Sequence, residues 1–336
     1  MREEFTAKVI KIRVPVFITF IPKYVPMNRR DFFRKSLYAG VAAGAALSLG
    51  DPKKLLAAIP APGNPPVPYD LVAVKGGEPA AMFDKGIESL GGIGAFVKRG
   101  QTVVVKPNIG WDVSPERAAN TNPALVRHII ELCLAAGAKT VYVFDNTCDN
   151  WIKSYQNSGI EKAVKDAGGK IVPGNSEANY QEVAVTNGKK LKTAKVHELI
   201  LSSDVFINVP ILKSHSSAQI TASMKNLMGI VWDRFYWHRN DLHQCIVDFT
   251  PVRKPDLNVV DAYRVLMKRG PRGVSVEDVE MKGSLIISKD IVAADAASAK
   301  LFGVEPATIP YIKLADQAKL GVMDLTKLSI NRIKMS

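Results

Sequence analysis

The chain has 336 residues, 47% of them hydrophobic, and its four Trp, nine Tyr and twelve Phe exclude an intrinsically disordered protein. The net charge of +13 suggests nucleic acid, but residues 1–60 hold 11 Lys/Arg against 4 Asp/Glu, and the 34 basic and 28 acidic residues of 61–336 form no long basic run, so general nucleic-acid binding is set aside. Cys133, Cys148 and Cys245 form no C-x-x-C, which excludes an iron–sulfur or zinc-ribbon signature, and their odd number excludes a disulfide scaffold.

Met27-Asn-Arg-Arg-Asp-Phe-Phe-Arg-Lys35 resembles a twin-arginine export motif. Arg29 and Arg30 are the pair, Phe32 and Phe33 the apolar positions, Lys35 the trailing base. Leu37–Gly50 follows without charge, rich in Ala and Gly, at the length of a signal h-region and too short to span a bilayer comfortably. Residues 27–60 are therefore expected to be a signal segment cleaved near 58–61, with an uncleaved N-terminal anchor as the alternative. Residues 1–26 sit awkwardly before the motif, and Met27 is a candidate true start. The implied partner is the twin-arginine translocase, the implied location is extracytoplasmic, and membrane contact would come only through an uncleaved N-terminus.

Residues 61–69, rich in Pro, form a linker by composition. Beyond it a single α/β domain is expected over 70–330. Strands are predicted at 71–75, 102–106, 140–144, 204–209, 257–260 and 284–287. Helices are predicted at 80–90, 122–136, 158–167, 218–228, 261–268, 290–302 and 312–319. For the helix at 122–136, Thr121 or Asn122 can cap the start, Pro123 lies in the first turn and Gly137 ends it. This alternation predicts a layered α/β fold, with a mostly parallel or mixed sheet and helices on both faces. The Lys-rich stretch 173–195 reads as a polar excursion, a hairpin or small subdomain.

Ligands of open α/β sheets bind beyond the C-terminal ends of the strands. Lys106-Pro-Asn108, Asp145-Asn-Thr147, Lys213-Ser-His215, Asp261 and Ser288-Lys-Asp290 all fall at such ends. Asp261, Ser288 and Asp290 suit helix caps. Lys106, on a rigid turn before Pro107, can hold a carboxylate or phosphate; the alternative is a solvated loop lysine. Lys213 and His215, two apart in extended chain, face one side and together suit anion binding and proton transfer; the alternative is a loop lysine and a structural histidine. Lys225 and Asn226 sit near the end of a predicted helix that Gly229 terminates. The segment Trp232–Asp248 holds His238, His243, Cys245 and Asp248, which could supply metal ligands, but their spacing fits no closed zinc pattern and an aromatic flap is the preferred reading. No Walker loop, dinucleotide fingerprint, G-x-S-x-G or H-E-x-x-H occurs.

An ordered set of segments carries a further resemblance: Val103–Asn108, Thr121–Pro123, Ala136–Lys139, Asn208–His215, Met224–Gly229, Val260–Ala262, Gly270–Gly273, and Asp295-Ala296 before Leu301–Gly303. Together they resemble the domain of unknown function 362 family over roughly 102–303. The resemblance implies that Lys106, Asn108, Lys213, His215, Lys225 and Asn226 form one site. Some relatives carry an appended ferredoxin-type module, whose cysteines this chain lacks. The expected activity is binding of an anionic small molecule or cofactor at the strand ends, with His215 as acid/base, the lysines as electrostatic clamps and Asp145 orienting His215 or binding a metal. The alternatives are a non-catalytic cofactor-binding or maturation protein, and a redox partner.

Overall fold

The computed structural model describes residues 69–336; the export motif, the residues before it and nearly all of the linker lie outside them. The chain enters β1 (Leu71–Lys75), then α1 (Pro79–Glu88), β2 (Thr102–Pro107), α2 (Pro123–Ala135) and β3 (Thr140–Val143). Next come α3 (Trp151–Asn157), α4 (Ile160–Asp166) and β4 (Lys170–Ile171). A separate two-stranded sheet, β5 (Tyr180–Ala184) with β6 (Thr193–His197), occupies the polar stretch. It leads to α5 (Glu198–Ser202), β7 (Val205–Val209), β8 (Ile211–His215), β9 (Gln219–Thr221) and α6 (Ser223–Asn226). The last part is α7 (Arg234–Arg239), α8 (Leu242–Phe249), β10 (Leu257–Leu266), β11 (Val279–Ser288), α9 (Ile291–Phe302), α10 (Pro310–Gln317) and β12 (Ile330–Lys334).

Ten strands form one mixed sheet in the order β12-β1-β11-β10-β7-β2-β3-β4, with β8 and β9 branching from β10. The run from β10 to β4 is parallel, β11 is antiparallel to both β10 and β1, and β12 is parallel to β1. Side-chain alternation divides the strands between two cores. Val103 and Val105 join Phe83, Ile129 and Val164, from α1, α2 and α4, on one face. Val104 and Phe206 join Met224, Ile246, Val292 and Ile312, from α6, α8, α9 and α10, on the other. Covered on both faces, the central strands read as continuous apolar runs, and each such buried side chain contributes about 1.5–3 kcal/mol. This is the layered α/β architecture, with a mixed sheet and helices on both faces, that the alternation predicts.

Local differences have tertiary causes. The helix predicted at 261–268 is instead the second half of β10, because β11 pairs with it from Ala262↔Ser284 to Leu266↔Val279. The helix predicted at 218–228 breaks up. Residues 219–221 pair with β8, and the helical turn begins only at Ser223, where the Asp295 carboxylate of α9 accepts the Ser223 and Met224 amides at 2.5 and 3.0 Å. The helix predicted at 158–167 shortens to α4, with α3 before it. Asn122 does cap α2, accepting the Ala124 amide at 2.9 Å. Asp290 caps α9 as expected, but Asp261 reaches across to the Asn122 amide rather than starting a helix of its own.

Candidate functional site

The parallel strands end at one edge of the sheet, and their polar termini meet there. Lys106, Asn108, Asp145, Lys213, His215, Lys225 and Asn226 all line a single cavity of about 620 Å³. Arg234, Phe235 and His238 from α7, with Trp111, Cys148 and Gly229, also line it.

Lys106 continues the alternation of β2, so its side chain enters the sheet face rather than solvent, and it is fully buried. Its ammonium pairs with Asp145 Oδ1 at 3.0 Å and donates to Asn226 O and Oδ1 at 2.9 and 2.8 Å. Burial nonetheless holds its pKa below the usual lysine value, against the pull of Asp145. Asp145 Oδ2 accepts the Ile109 amide at 2.6 Å, and the Tyr155 hydroxyl on α3 bonds the Asp145 backbone at both amide and carbonyl. Asp145 therefore faces Lys106, and no hydrogen bond joins it to His215.

A polar row runs across the sheet behind the pair. Lys106 registers with Asn208 on β7, Asn208 with Asn258 on β10, and Asn258 with Ser288 on β11. Asn226 Nδ2 donates to Asn208 Oδ1 and Asn208 Nδ2 to Asn258 Oδ1, at 2.9 and 3.0 Å. These fully buried amides leave few lone pairs unused, as an interior polar network must. Asn208 and Asn258 carry no role in the sequence reading, although a lone Asn inside Val-Phe-Ile-Asn-Val and Leu-Asn-Val-Val is a visible irregularity.

Asn108 ties the row to β8. Its amide donates to Thr121 Oγ1 at 2.8 Å, its Nδ2 donates to Asn226 Oδ1 at 2.9 Å, and its Oδ1 accepts from Lys213 Nζ at 3.0 Å. Lys213 also donates to Ala119 O. Burial, with Lys225 and Lys106 nearby, lowers its pKa to about 7. Lys225 is 9% exposed and has no hydrogen-bond or ion-pair partner among the described residues. Burial, together with Arg234 and Lys106, lowers its pKa to about 8. His215 is half-buried, and its Nδ1 accepts the Ser217 and Ala218 amides at 3.2 and 3.3 Å. Burial and the neighbouring Lys225 and Lys213 push its pKa to about 2, so at neutral pH it is an uncharged ring whose Nε2–H is the available donor.

Gly229 ends no long helix. It lies against the ion pair: a Cβ there would sit 1.9 Å from Asp145 Oδ1 and 2.5 Å from Lys106 Nζ.

The aromatic segment divides. Phe235, 71% exposed, borders the cavity with Arg234 and His238, while Trp237 is 1% exposed and packs on Phe249, so the start of the segment overhangs the cavity and Trp237 anchors it in the core. Arg234 fixes its start by donating to Asn146 O at 2.5 Å and to Thr147 O. His238, His243, Cys245 and Asp248 do not converge. His243 stacks on Tyr311, Cys245 donates to Asn240 O, and Asp248 accepts the Lys190 and Leu191 amides. Among the described residues no group of three or more His, Cys, Asp and Glu is placed to hold a metal ion.

A thylakoid-associated protein of Synechocystis sp. is 29% identical over 245 residues, covering 70% of this chain and 73% of the relative. Two solved structures match part of the chain. The lactate racemase apoprotein from Thermoanaerobacterium thermosaccharolyticum matches at 10% identity and TM-score 0.46, over 70% of this chain and 58% of its own. A Thermotoga maritima protein matches at 12% identity and TM-score 0.43, over 72% and 60%. The chain thus spans about three fifths of either solved protein. Residues 103–300, which contain every residue of the cavity described above, match the model of the family described as Domain of unknown function (DUF362), and the chain belongs to that family.

Proposed function

We propose that this cavity binds a small anionic ligand and that Lys213 and Lys225 take up protons as it binds. The observation that carries the reading is the charge imbalance of the wall. Lys106, Lys213, Lys225 and Arg234 stand against one carboxylate, Asp145, and Asp145 is taken by Lys106. Lys225 is left buried with no counter-charge, a costly arrangement that an incoming carboxylate, phosphate or sulfate relieves. His215 then serves as a neutral Nε2–H donor to the ligand rather than as the resting base. Lys213, near 7, is better suited to move a proton at neutral pH.

The sign of the pH dependence follows. The anion binds the ammonium forms, and the free lysines lose their protons through about 7 and about 8. Sulfate, whose charge is constant over this range, is expected to bind tightest below pH 7. Its affinity falls above that by up to about tenfold per pH unit for each lysine that must be reprotonated. Lys225→Met is expected to weaken sulfate at least about tenfold in a calorimetric titration while leaving stability unchanged or raised, because it removes an unpaired buried cation. Pronounced unfolding of Lys225→Met with unchanged sulfate affinity would return Lys225 to a structural role.

We also propose export by the twin-arginine route, with residues 27–60 as the signal. The motif at Met27–Lys35 supports this, and so does the thylakoid-associated description of the Synechocystis relative. Among the described residues no helix is long and apolar enough to cross a membrane. Arg29→Lys with Arg30→Lys is expected to leave the protein inside spheroplasts; unchanged release from the cell would refute the assignment.

A further inference from the structure

A thiol stands at the rim of the lysine cavity. Cys148 follows β3, and its amide and that of Asp149 donate to Gly110 O at 2.8 and 3.2 Å, which fixes this loop against the one carrying Asn108. A methyl group on Gly110 would lie 3.4 Å from Asn108 Oδ1 and 3.9 Å from Cys148 Sγ. The thiol and the amide oxygen that receives Lys213 therefore face the same gap, which the missing side chain leaves open. Cys148 is exposed to reagents, whereas Cys133 and Cys245 are fully buried. The second observation is independent of the thiol: Lys225, 9% exposed and without a partner among the described residues, lines the same cavity. A ligand whose anionic end meets Lys225 has its remaining atoms within a space that Cys148 borders, where an exposed thiol can reach an electrophilic carbon.

We propose that Cys148 is a nucleophile of this cavity and adds to the carbonyl carbon of a small 2-oxo acid whose carboxylate Lys225 holds. The inference rests on the anion-binding reading above. In the step, a bond forms between Sγ and C2, the carbonyl π pair moves onto the oxygen, and that oxygen ends with the proton the thiol has given up. No group leaves and no oxidant is required, so the adduct is reversible. The neutral His215 Nε2–H, on the same wall, suits the developing alkoxide.

The test uses the full chain and two alkylating probes of similar size, iodoacetate and iodoacetamide. Each forms an S–C bond as iodide leaves with the bonding pair, and native protein should take one label, at Cys148. The iodoacetate-to-iodoacetamide rate ratio is expected to exceed that of glutathione by about tenfold or more. Sulfate and glyoxylate should each slow the iodoacetate reaction, and Lys225→Met should return the ratio to that of glutathione. A wild-type ratio equal to that of glutathione, with sulfate still binding by calorimetry, overturns the role of Cys148 and leaves the anion site standing. Equal ratios with no sulfate binding overturn both. Anion selectivity that glyoxylate does not suppress overturns the 2-oxo acid as ligand class.

Discussion

Gly229→Ala is expected to abolish anion binding and to destabilise the protein by about 3 kcal/mol or more, read from urea denaturation and a sulfate titration. One methyl group causes this because it enters a space already held by two charged atoms. The added carbon would lie 1.9 Å from Asp145 Oδ1 and 2.5 Å from Lys106 Nζ. Neither side chain can swing away, since both are buried and tied to backbone, Lys106 to Asn226 O and Asp145 to the Ile109 amide. The Asn146 amide donates to Gly229 O at 2.9 Å, which hinders withdrawal of the backbone. Separating the pair leaves a buried ammonium and a buried carboxylate uncompensated, the costly way to break an interior ion pair. A Gly229→Ala protein with wild-type denaturation midpoint and sulfate affinity would mean that the close packing here is not required.

Asp145→Ala is expected to cost about 3–5 kcal/mol at neutral pH, because it strands Lys106 in the sheet face. The loss should shrink at pH 10. Burial already holds Lys106 below the ordinary lysine value, and removal of Asp145 takes away the interaction that pulls it upward. Deprotonation then converts an uncompensated cation into a neutral amine still bonded to Asn226, so the variant gains stability as pH rises through the lowered folded pKa toward the unfolded one. The double variant Lys106→Met, Asp145→Leu should be more stable than Asp145→Ala alone, since an ion pair replaced by apolar groups leaves no orphaned charge. Denaturation at pH 7 and pH 10 of both proteins separates this from simple loss of packing, which would be pH-independent.

The strand ends were legible because the rule that places ligands there depends only on direction and alternation. Lys106 and Asp145 close apolar runs whose parallel pairing brings their C-terminal ends to one edge, and Lys213 lies within β8, parallel to β10. Lys213 and His215 share a side, as residues two apart on a strand must, although they sit in β8 rather than in a loop. Asp145 is legible as a strand-end residue, but its carboxylate meets Lys106 rather than His215, a contact no sequence spacing encodes. The segment 218–228 was misread because its apolar spacing suits a helix, while Asp295, about seventy residues later, decides where the turn begins. Gly229 was legible as a glycine that stops a helix; that it makes room for an ion pair depends on contacts from two other strands. The Asn208–Asn258 ladder was hidden for the same reason, since each amide finds its partner only once the strand order is known.

The most direct test of the central claim is proton uptake on sulfate binding, measured calorimetrically at pH 8 in two buffers of different ionisation enthalpy. With Lys213 and Lys225 free at about 7 and about 8, binding should draw about one proton or more from the buffer, the larger share onto Lys213, so this uptake should fall further in Lys213→Met than in Lys225→Met. Sulfate binding with the same heat in both buffers, or no saturable binding at any pH from 6 to 9, would contradict an anion site built from lysines of lowered pKa awaiting a counter-charge.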